Sequence, residues 1–142
     1  MIKLSCFLSL MAISLNILSQ TISKNIIVDQ FGYLPNSTKI AVIKNPKVGF
    51  DNAATFSPGQ NYAIIDANSG KEVFTGKPAA WKSGATDASS GDMAWHFDFS
   101  SVTTVGDYLV LDVDNQKASY RFRISPAITT NTPTGQPITW LR

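Results

Sequence analysis

The chain is predicted to fold as an all-β, immunoglobulin-like Greek-key β-sandwich of about seven strands. After residue 25, short apolar runs alternate with turns rich in Gly, Pro, Asn and Asp. No long window repeats its apolar residues with the spacing of a helix. Gly106-Asp107-Tyr108 precedes a strand that is apolar on both faces, which predicts a tyrosine corner. There the Tyr108 hydroxyl would donate to upstream backbone and fix the crossover between the sheets.

The first two predicted strands flank a turn. Asn25–Gln30 forms the first strand and leads into the sequence FGYLPN at Phe31–Asn36, where Gly, Pro and Asn are typical of a turn. Lys39–Lys44 contains the apolar run IAVI and forms the second strand. A polar loop then extends to Gln60.

A hairpin is predicted in the middle of the chain. Asn61–Asp66 and Glu72–Thr75 are short apolar runs separated by Asn68-Ser69-Gly70, whose residue types favour a tight reversal. Pro78–Trp81 predicts a further short strand.

The last strands show the strongest alternation. In Met93–Phe99, side chains two residues apart share a face, so one face is large and apolar (Met93, Trp95, Phe97, Phe99) and the other carries Ala94, His96 and Asp98. Asp107–Val113 is apolar on both faces. Ala118–Ile124 is predicted as one final strand with Ala118, Tyr120, Phe122 and Ile124 on a common face.

The two ends of the chain are predicted to lie outside the domain. Residues 1–20 have a basic start, an apolar stretch at Leu4–Leu18 and then Ser19-Gln20, which is typical of a signal peptide. The apolar stretch is shorter than the roughly 18 to 20 residues of a membrane span, and a retained amphipathic anchor is the alternative. We therefore expect a secreted or periplasmic protein with one domain at 25–125 and a linker or truncated tail at 126–142.

Composition narrows the function classes. An apolar fraction of 44% and an aromatic fraction of 11% favour a packed domain. The single cysteine, Cys6, lies in the predicted signal peptide, so the mature domain would have no disulfide. The net charge is +2 and no run of Lys or Arg occurs, so no nucleic-acid partner is expected. No membrane contact is expected after cleavage of the signal peptide.

A search for catalytic chemistry finds no site. His96, the only histidine, is predicted to face solvent, and no Gly-x-Ser-x-Gly elbow is present. Asp87 and Asp92 share the loop DASSGD, where Ca²⁺ binding is the alternative to the turn-forming role that loop aspartates usually have. We expect no catalytic residue, no metal and no cofactor.

Three aromatic side chains are candidates for contact with a carbohydrate. They are Trp81, Tyr62 and Tyr33, of which Trp81 follows a short strand and precedes a polar loop. Trp95 is assigned to the core instead, because its parity matches that of Phe97.

Several motifs together resemble a known family. The string IIVDQFGYLPNSTKIAVI at Ile26–Ile43, with DFS at Asp98–Ser100 and GDY at Gly106–Tyr108, is similar to the amino-terminal immunoglobulin-like domain of family nine glycoside hydrolases. These enzymes are cellulases, chiefly endo-β-1,4-glucanases. The resemblance covers residues 25–125.

The resemblance implies an accessory role. It predicts a module that packs against an (α/α)₆ catalytic barrel, which this chain lacks, with interdomain contacts at Phe31, Tyr33 and Leu34. No position matches the family's catalytic aspartates or glutamate, so the chain alone is expected to be inactive while its parent enzyme hydrolyses O-glycosyl bonds.

Other interpretations stay open at the level of sequence. A carbohydrate-binding module for β-glucan and a cell-surface adhesion module are the alternatives in function, because sandwiches serve many functions. Pro126–Arg142 replaces the helix with which the family's barrel begins. A fragment, a shifted reading frame and an isolated module each explain this.

Overall fold

Ten short strands in two stacked sheets are found in the computed structural model, which describes residues 20–53 and 56–127. Their bounds are β1 Thr21–Ile22, β2 Ile26–Ile27, β3 Ile40–Pro46, β4 Tyr62–Asp66, β5 Glu72–Gly76, β6 Ala79–Ala80, β7 Asp92–Asp98, β8 Gly106–Asp112, β9 Lys117–Ala118 and β10 Phe122–Ile124. A 3₁₀-type turn at Trp81–Gly84 follows β6.

The strands are divided between a larger and a smaller sheet. The larger sheet has the order β1-β9-β8-β4-β5, and β10 also pairs with β8; the smaller has the order β2-β3-β7-β6. The strand pairs are antiparallel except for β1 with β9. This arrangement confirms the predicted immunoglobulin-like sandwich. The described residues form ten strands and not the predicted seven or so, partly because β1 was not predicted and one predicted strand is divided into β9 and β10.

The main core lies between the sheets. Phe97 on β7 and Phe99 directly after it are buried, and Trp95 packs against the same cluster while remaining half-buried. The inward face predicted for this strand is therefore confirmed. Phe99 packs against Phe122 of the other sheet, with ring centroids 5.3 Å apart. The other buried members of this core are Ile26, Val28, Ala41, Ile43, Tyr62, Ile64, Val102, Tyr108, Val110 and Ile124.

A second apolar cluster lies on the outer face of the larger sheet. Leu111 of β8 is buried there with Ala63, Ile65 and Ala118. Because Val110 points into the main core, β8 is apolar on both faces, as its sequence predicts.

The prediction of one continuous strand at Ala118–Ile124 is wrong. Ala118 pairs with Leu111, whereas Phe122 pairs with Tyr108, so the register shifts by one residue between β9 and β10. A shift of one residue moves side chains to the opposite face. Ala118 accordingly lies on the outer face and Phe122 on the inner face, and Tyr120 between them is 55% exposed.

The ends of the domain differ slightly from the predicted ones. The larger sheet already begins at Thr21 through the pairing of β1 with β9, and the strand expected at Asn25–Gln30 is limited to Ile26–Ile27. The predicted signal peptide and tail fall almost wholly outside the described residues.

The tyrosine corner is confirmed. The Tyr108 hydroxyl donates to the Thr104 carbonyl oxygen over 3.0 Å, four residues upstream. This bond ties the loop before β8 to the start of the strand.

A buried polar network closes the end of the sandwich where β8 ends. The Tyr62 hydroxyl donates to Asp112 over 2.9 Å. Asp112 also accepts from the Gly59 amide at 2.8 Å and from Asn115. Burial, followed by the nearby Asp112 carboxylate, raises the pKa of Tyr62 strongly. The loop before β4 is thereby tied to the end of β8.

Replacing Tyr62 by Phe should lower the free energy of unfolding by about 1 to 3 kcal/mol, because a buried carboxylate loses one donor. Urea denaturation measures this loss. Tyr120→Phe is the matched control, since it removes an exposed hydroxyl and should change stability by less than about 0.5 kcal/mol. Equal stability of the two variants would contradict the role of the network.

Acid should destabilise the fold through carboxylates that accept hydrogen bonds. Arg123 donates to both oxygens of Asp107 at 2.8 and 2.9 Å and lowers the pKa of that carboxyl, and Ser100 lowers the pKa of Asp98. The folded state thus binds protons less readily than the unfolded state. This stabilisation is complete above the ordinary Asp pKa of about 3.9 and is lost as the pH falls through the lower folded pKa.

Urea denaturation at several pH values between about 5 and 2 tests this expectation. Asp107→Asn should make the loss of stability with falling pH less steep, and Arg123→Met should do the same by removing the partner. An unchanged pH dependence in both variants would overturn it.

Candidate functional site

The turn between β2 and β3 presses closely against the end of β10. Gly32 has φ +96°, and a side chain there would lie 2.6 Å from the Arg123 carbonyl oxygen. The Phe31 amide donates to the Asp29 carboxylate at 2.9 Å. Glycine therefore allows a close approach that fixes the position of the turn.

Tyr33 anchors this turn in the core. Its ring meets Phe99 and Phe122 edge-on, with centroids 5.2 and 5.3 Å away. Its hydroxyl donates to the Ile40 carbonyl and accepts from the Asp29 amide, each over 3.0 Å. Burial raises the pKa of this hydroxyl. These contacts make Tyr33 a support for the turn, and they occupy much of the ring proposed from sequence to meet a partner or a sugar.

A buried lysine holds the second half of the turn. Lys39 is fully buried, and its ammonium donates to the carbonyl oxygens of Leu34, Pro35 and Ser37 at 3.4, 2.7 and 2.9 Å. Burial lowers the pKa of Lys39. The sequence does not predict this role, because lysine is rarely fully buried and no local pattern distinguishes this lysine from an exposed one.

The turn presents two apolar side chains to solvent. Phe31 is 63% exposed and Leu34 is 40% exposed; we call the segment the Phe31–Leu34 turn. The Tyr33 amide donates to Arg123 over 2.8 Å, and the Ser125 amide donates to Tyr33 over 3.0 Å. The chain therefore leaves the sandwich beside this turn.

A groove crosses the outer face of the smaller sheet. Ile27, Val42 and His96 are in register across β2, β3 and β7, and Lys44 pairs with Ala94 two residues further along, on the same face. These side chains line a groove of about 210 Å³ together with Trp81, Asp87, Ser90 and Asp92. We call it the outer groove. The outward parity predicted for His96 agrees with this position.

Trp81 forms a rim of the outer groove. It begins a turn in which Lys82 and Ser83 have φ of 45° and 55°, in the left-handed region. The Lys82 ammonium lies 4.2 Å from the centroid of the Trp81 ring and 3.5 Å from Asp87. One face of the indole is thus occupied by a cation.

The other aromatic candidates lie elsewhere. Tyr62 is fully buried, so its ring offers no face to a sugar and the sequence-based assignment needs correction. Trp95 lines a cleft of about 310 Å³ with Pro58, Gly59, Gln60, Lys77 and Pro78. The sequence assigned Trp95 wholly to the core and missed this partial exposure.

The loop aspartates serve the backbone. Asp87 accepts from the amides of Ser89 and Ser90 at 2.9 and 3.1 Å, and these bonds lower the pKa of its carboxyl. Within residues 20–53 and 56–127, no group of three His, Cys, Asp or Glu side chains is placed to hold a metal ion. In the same residues no helix has the length and apolar character of a membrane span.

Sequence comparison finds a family and a relative. The family model described as the cellulase N-terminal ig-like domain matches residues 21–118. A xyloglucan-specific endo-β-1,4-glucanase of Bacteroides ovatus is 37% identical over 83 residues, which are 58% of this chain and 12% of that enzyme.

Solved structures give the same result. A family 9 glycoside hydrolase of Bacteroides ovatus matches with a TM-score of 0.54 and 32% identity, over 71% of this chain and 15% of its own. A metagenome-derived family 9 endoglucanase matches with a TM-score of 0.57 and 31% identity, over 71% and 18%. The chain thus spans less than a fifth of the length of these relatives.

Lys39→Met should loosen the Phe31–Leu34 turn, because three carbonyl oxygens would lose their buried donor. We expect a loss of about 2 to 3 kcal/mol in the free energy of unfolding and faster amide exchange at Ser37. Lys47→Met, at an exposed lysine, is the control. Unchanged exchange at Ser37 would show that the ammonium does not hold the turn.

Proposed function

The chain belongs to the family of cellulase N-terminal ig-like domains, and on this basis we propose that it is the accessory module of a family nine glycoside hydrolase. The parent enzyme would be an endo-β-1,4-glucanase that degrades cellulose or a related polysaccharide. The module would stabilise an (α/α)₆ catalytic barrel by packing against it. The family match carries this proposal.

The size of the relatives supports an accessory role. This chain spans 12% of the Bacteroides ovatus endoglucanase that it resembles, so most of that enzyme lies outside the shared region. A module of this kind would act with a much larger partner in the same polypeptide.

The Phe31–Leu34 turn is the proposed contact with the barrel. Exposed apolar side chains gain free energy when a partner covers them. The backbone of the turn is held by Lys39 and Tyr33, so docking would cost little conformational entropy. Since Ser125 lies beside the turn, the linker to a module that follows would start next to Phe31 and Leu34.

Export of the protein is also proposed, on the basis of the signal-like residues 1–20. The relatives' polysaccharide substrates are too large to enter a cell intact, which favours a secreted or periplasmic enzyme. Residues 126–142 would form the linker toward the barrel.

The chain alone is proposed to be inactive. Hydrolysis of a glycosidic bond requires two carboxyl groups on either side of the bond. Here the Asp112 and Asp114 carboxylates accept hydrogen bonds from the loop before β4, and Asp66 accepts them from its own turn. Release of reducing sugar from carboxymethyl-cellulose by the purified chain would contradict this.

The docking surface can be tested in a chimaera. Residues 21–125 would replace the corresponding domain of the Bacteroides ovatus endoglucanase, and Phe31→Ala with Leu34→Ala should lower the melting temperature of the barrel. Loss of about 1 kcal/mol corresponds to a decrease of roughly 2 to 4 °C for a domain of 150 to 250 residues, and less for a larger barrel. Scanning calorimetry measures the decrease.

The control carries the same kinds of substitution at the opposite end of β3. Val48 and Phe50 are exposed, and Val48→Ala with Phe50→Ala should leave the melting temperature unchanged. Equal effects of the two double variants would contradict a specific contact at the Phe31–Leu34 turn. Unfolding of each isolated chain shows whether the variants fold.

A further inference from the structure

We propose that the outer groove is a binding site for a neutral, β-linked glucan chain, separate from the surface that docks on the barrel. The site consists of an apolar floor, a tryptophan at the rim and polar groups above the floor. The choice of a β-linked glucan rests on the proposed function. The presence of a binding site is inferred from the residues that line the groove.

The floor of the groove is an apolar part of the smaller sheet's outer face. Ile27, Val42 and Ala94 project from three neighbouring strands on the same side of the smaller sheet. Ile27 is 45% exposed, so this floor is open to solvent. A sugar ring has an apolar face of C–H groups that can lie on such a surface, and burial of both surfaces favours binding.

Trp81 supplies an aromatic wall beside the floor. The left-handed conformations of Lys82 and Ser83 are unfavourable for residues other than glycine and occur where the surrounding structure imposes them. The Lys82 ammonium lies against the indole and bonds Asp87, which fixes the ring before a ligand arrives. A pre-positioned aromatic ring binds with little loss of side-chain entropy.

The polar groups at the groove match hydroxyl groups. His96 and Asp92 line the groove, and neither side chain makes a hydrogen bond to any residue in the described ranges 20–53 and 56–127. Lys44 bonds Asp51 at 3.2 Å and has further donor capacity. A carboxylate accepts, an ammonium donates, and a neutral imidazole does both. Sugar hydroxyls, which donate and accept, satisfy all three groups.

The larger cleft beside Trp95 is a weaker candidate. Two prolines and a glycine provide much of its lining. The amides of Gly59 and Gln60 there are already bonded to Asp112 and Asp114. Gln60 and Lys77 are the polar side chains that remain there for a ligand beside Trp95. The outer groove offers more of them, since Lys44, Asp92 and His96 converge beside Trp81.

Native affinity electrophoresis of the full 142-residue chain tests the proposal. Gels would contain xyloglucan, hydroxyethylcellulose or mixed-linkage β-glucan, with the α-linked polymer dextran as the polysaccharide control. We expect retardation by at least one β-glucan and none by dextran. Trp81→Ala should weaken the apparent affinity by about tenfold or more, as loss of a central aromatic contact does.

Tyr120→Ala is the matched variant, because it removes an exposed aromatic ring from the link between β9 and β10 and should bind as the parent chain does. Asp92→Asn gives an independent test should Trp81→Ala fail to fold, and it should weaken binding while leaving the fold intact. In ¹H–¹⁵N spectra, cellohexaose should shift the amide signals of Val42, Ala94 and His96.

Three results would overturn the proposal: no retardation by any β-glucan, equal retardation of the Trp81→Ala and parent chains, or cellohexaose shifts confined to the Trp95 cleft. None of these outcomes bears on the Phe31–Leu34 turn. The docking proposal is tested by the melting temperature of the chimaera, so its outcome is independent of the outcome for glucan binding.

Discussion

The edge-on packing of Tyr33 against Phe99 and Phe122 joins three parts of the structure. Phe99 follows β7 of the smaller sheet, Phe122 belongs to β10 of the larger sheet, and Tyr33 comes from the turn between β2 and β3. Edge-to-face aromatic pairs are worth about 0.5 to 1.5 kcal/mol beyond the area that they bury. The contact closes the sandwich at this end and positions the backbone that carries Phe31 and Leu34.

Buried polar side chains hold the loops beside the aromatic core in place. Lys39 donates hydrogen bonds to three carbonyl oxygens from inside the turn. Asp112 accepts hydrogen bonds from the Gly59 amide and the Tyr62 hydroxyl at the end of β8. A buried polar group without a partner costs about 1 to 3 kcal/mol, so each group is held where its partners are. These two charged side chains consequently define the positions of the loops that they bond.

The two surfaces differ in what surrounds them. The Phe31–Leu34 turn is apolar and lies where the chain leaves the domain, which suits a permanent neighbour in the same polypeptide. The outer groove lies on a sheet face and combines an aromatic wall with a carboxylate, an imidazole and an ammonium, which suits a hydrophilic ligand that dissociates. The two proposed functions, docking on a barrel and binding a polysaccharide, would therefore not compete for residues.

The sequence by itself determined the class of fold, most strand positions and the tyrosine corner, because alternation and turn residues act locally. It indicated the family through the resemblance of its motifs. It also placed His96 on the outward face, which strand parity requires. Only the tertiary structure decided the one-residue shift between Ala118 and Phe122, the burial of Tyr62 and the role of Lys39. Each of these depends on partners outside the local segment. The Val110 amide donates to the Ser119 hydroxyl where the register shifts, and Tyr62 meets Asp112 on the neighbouring strand. Lys39 lies beneath a turn whose path is set by contact with Arg123. Local patterns contain no information about such partners, so these features appear only when the sheets are assembled.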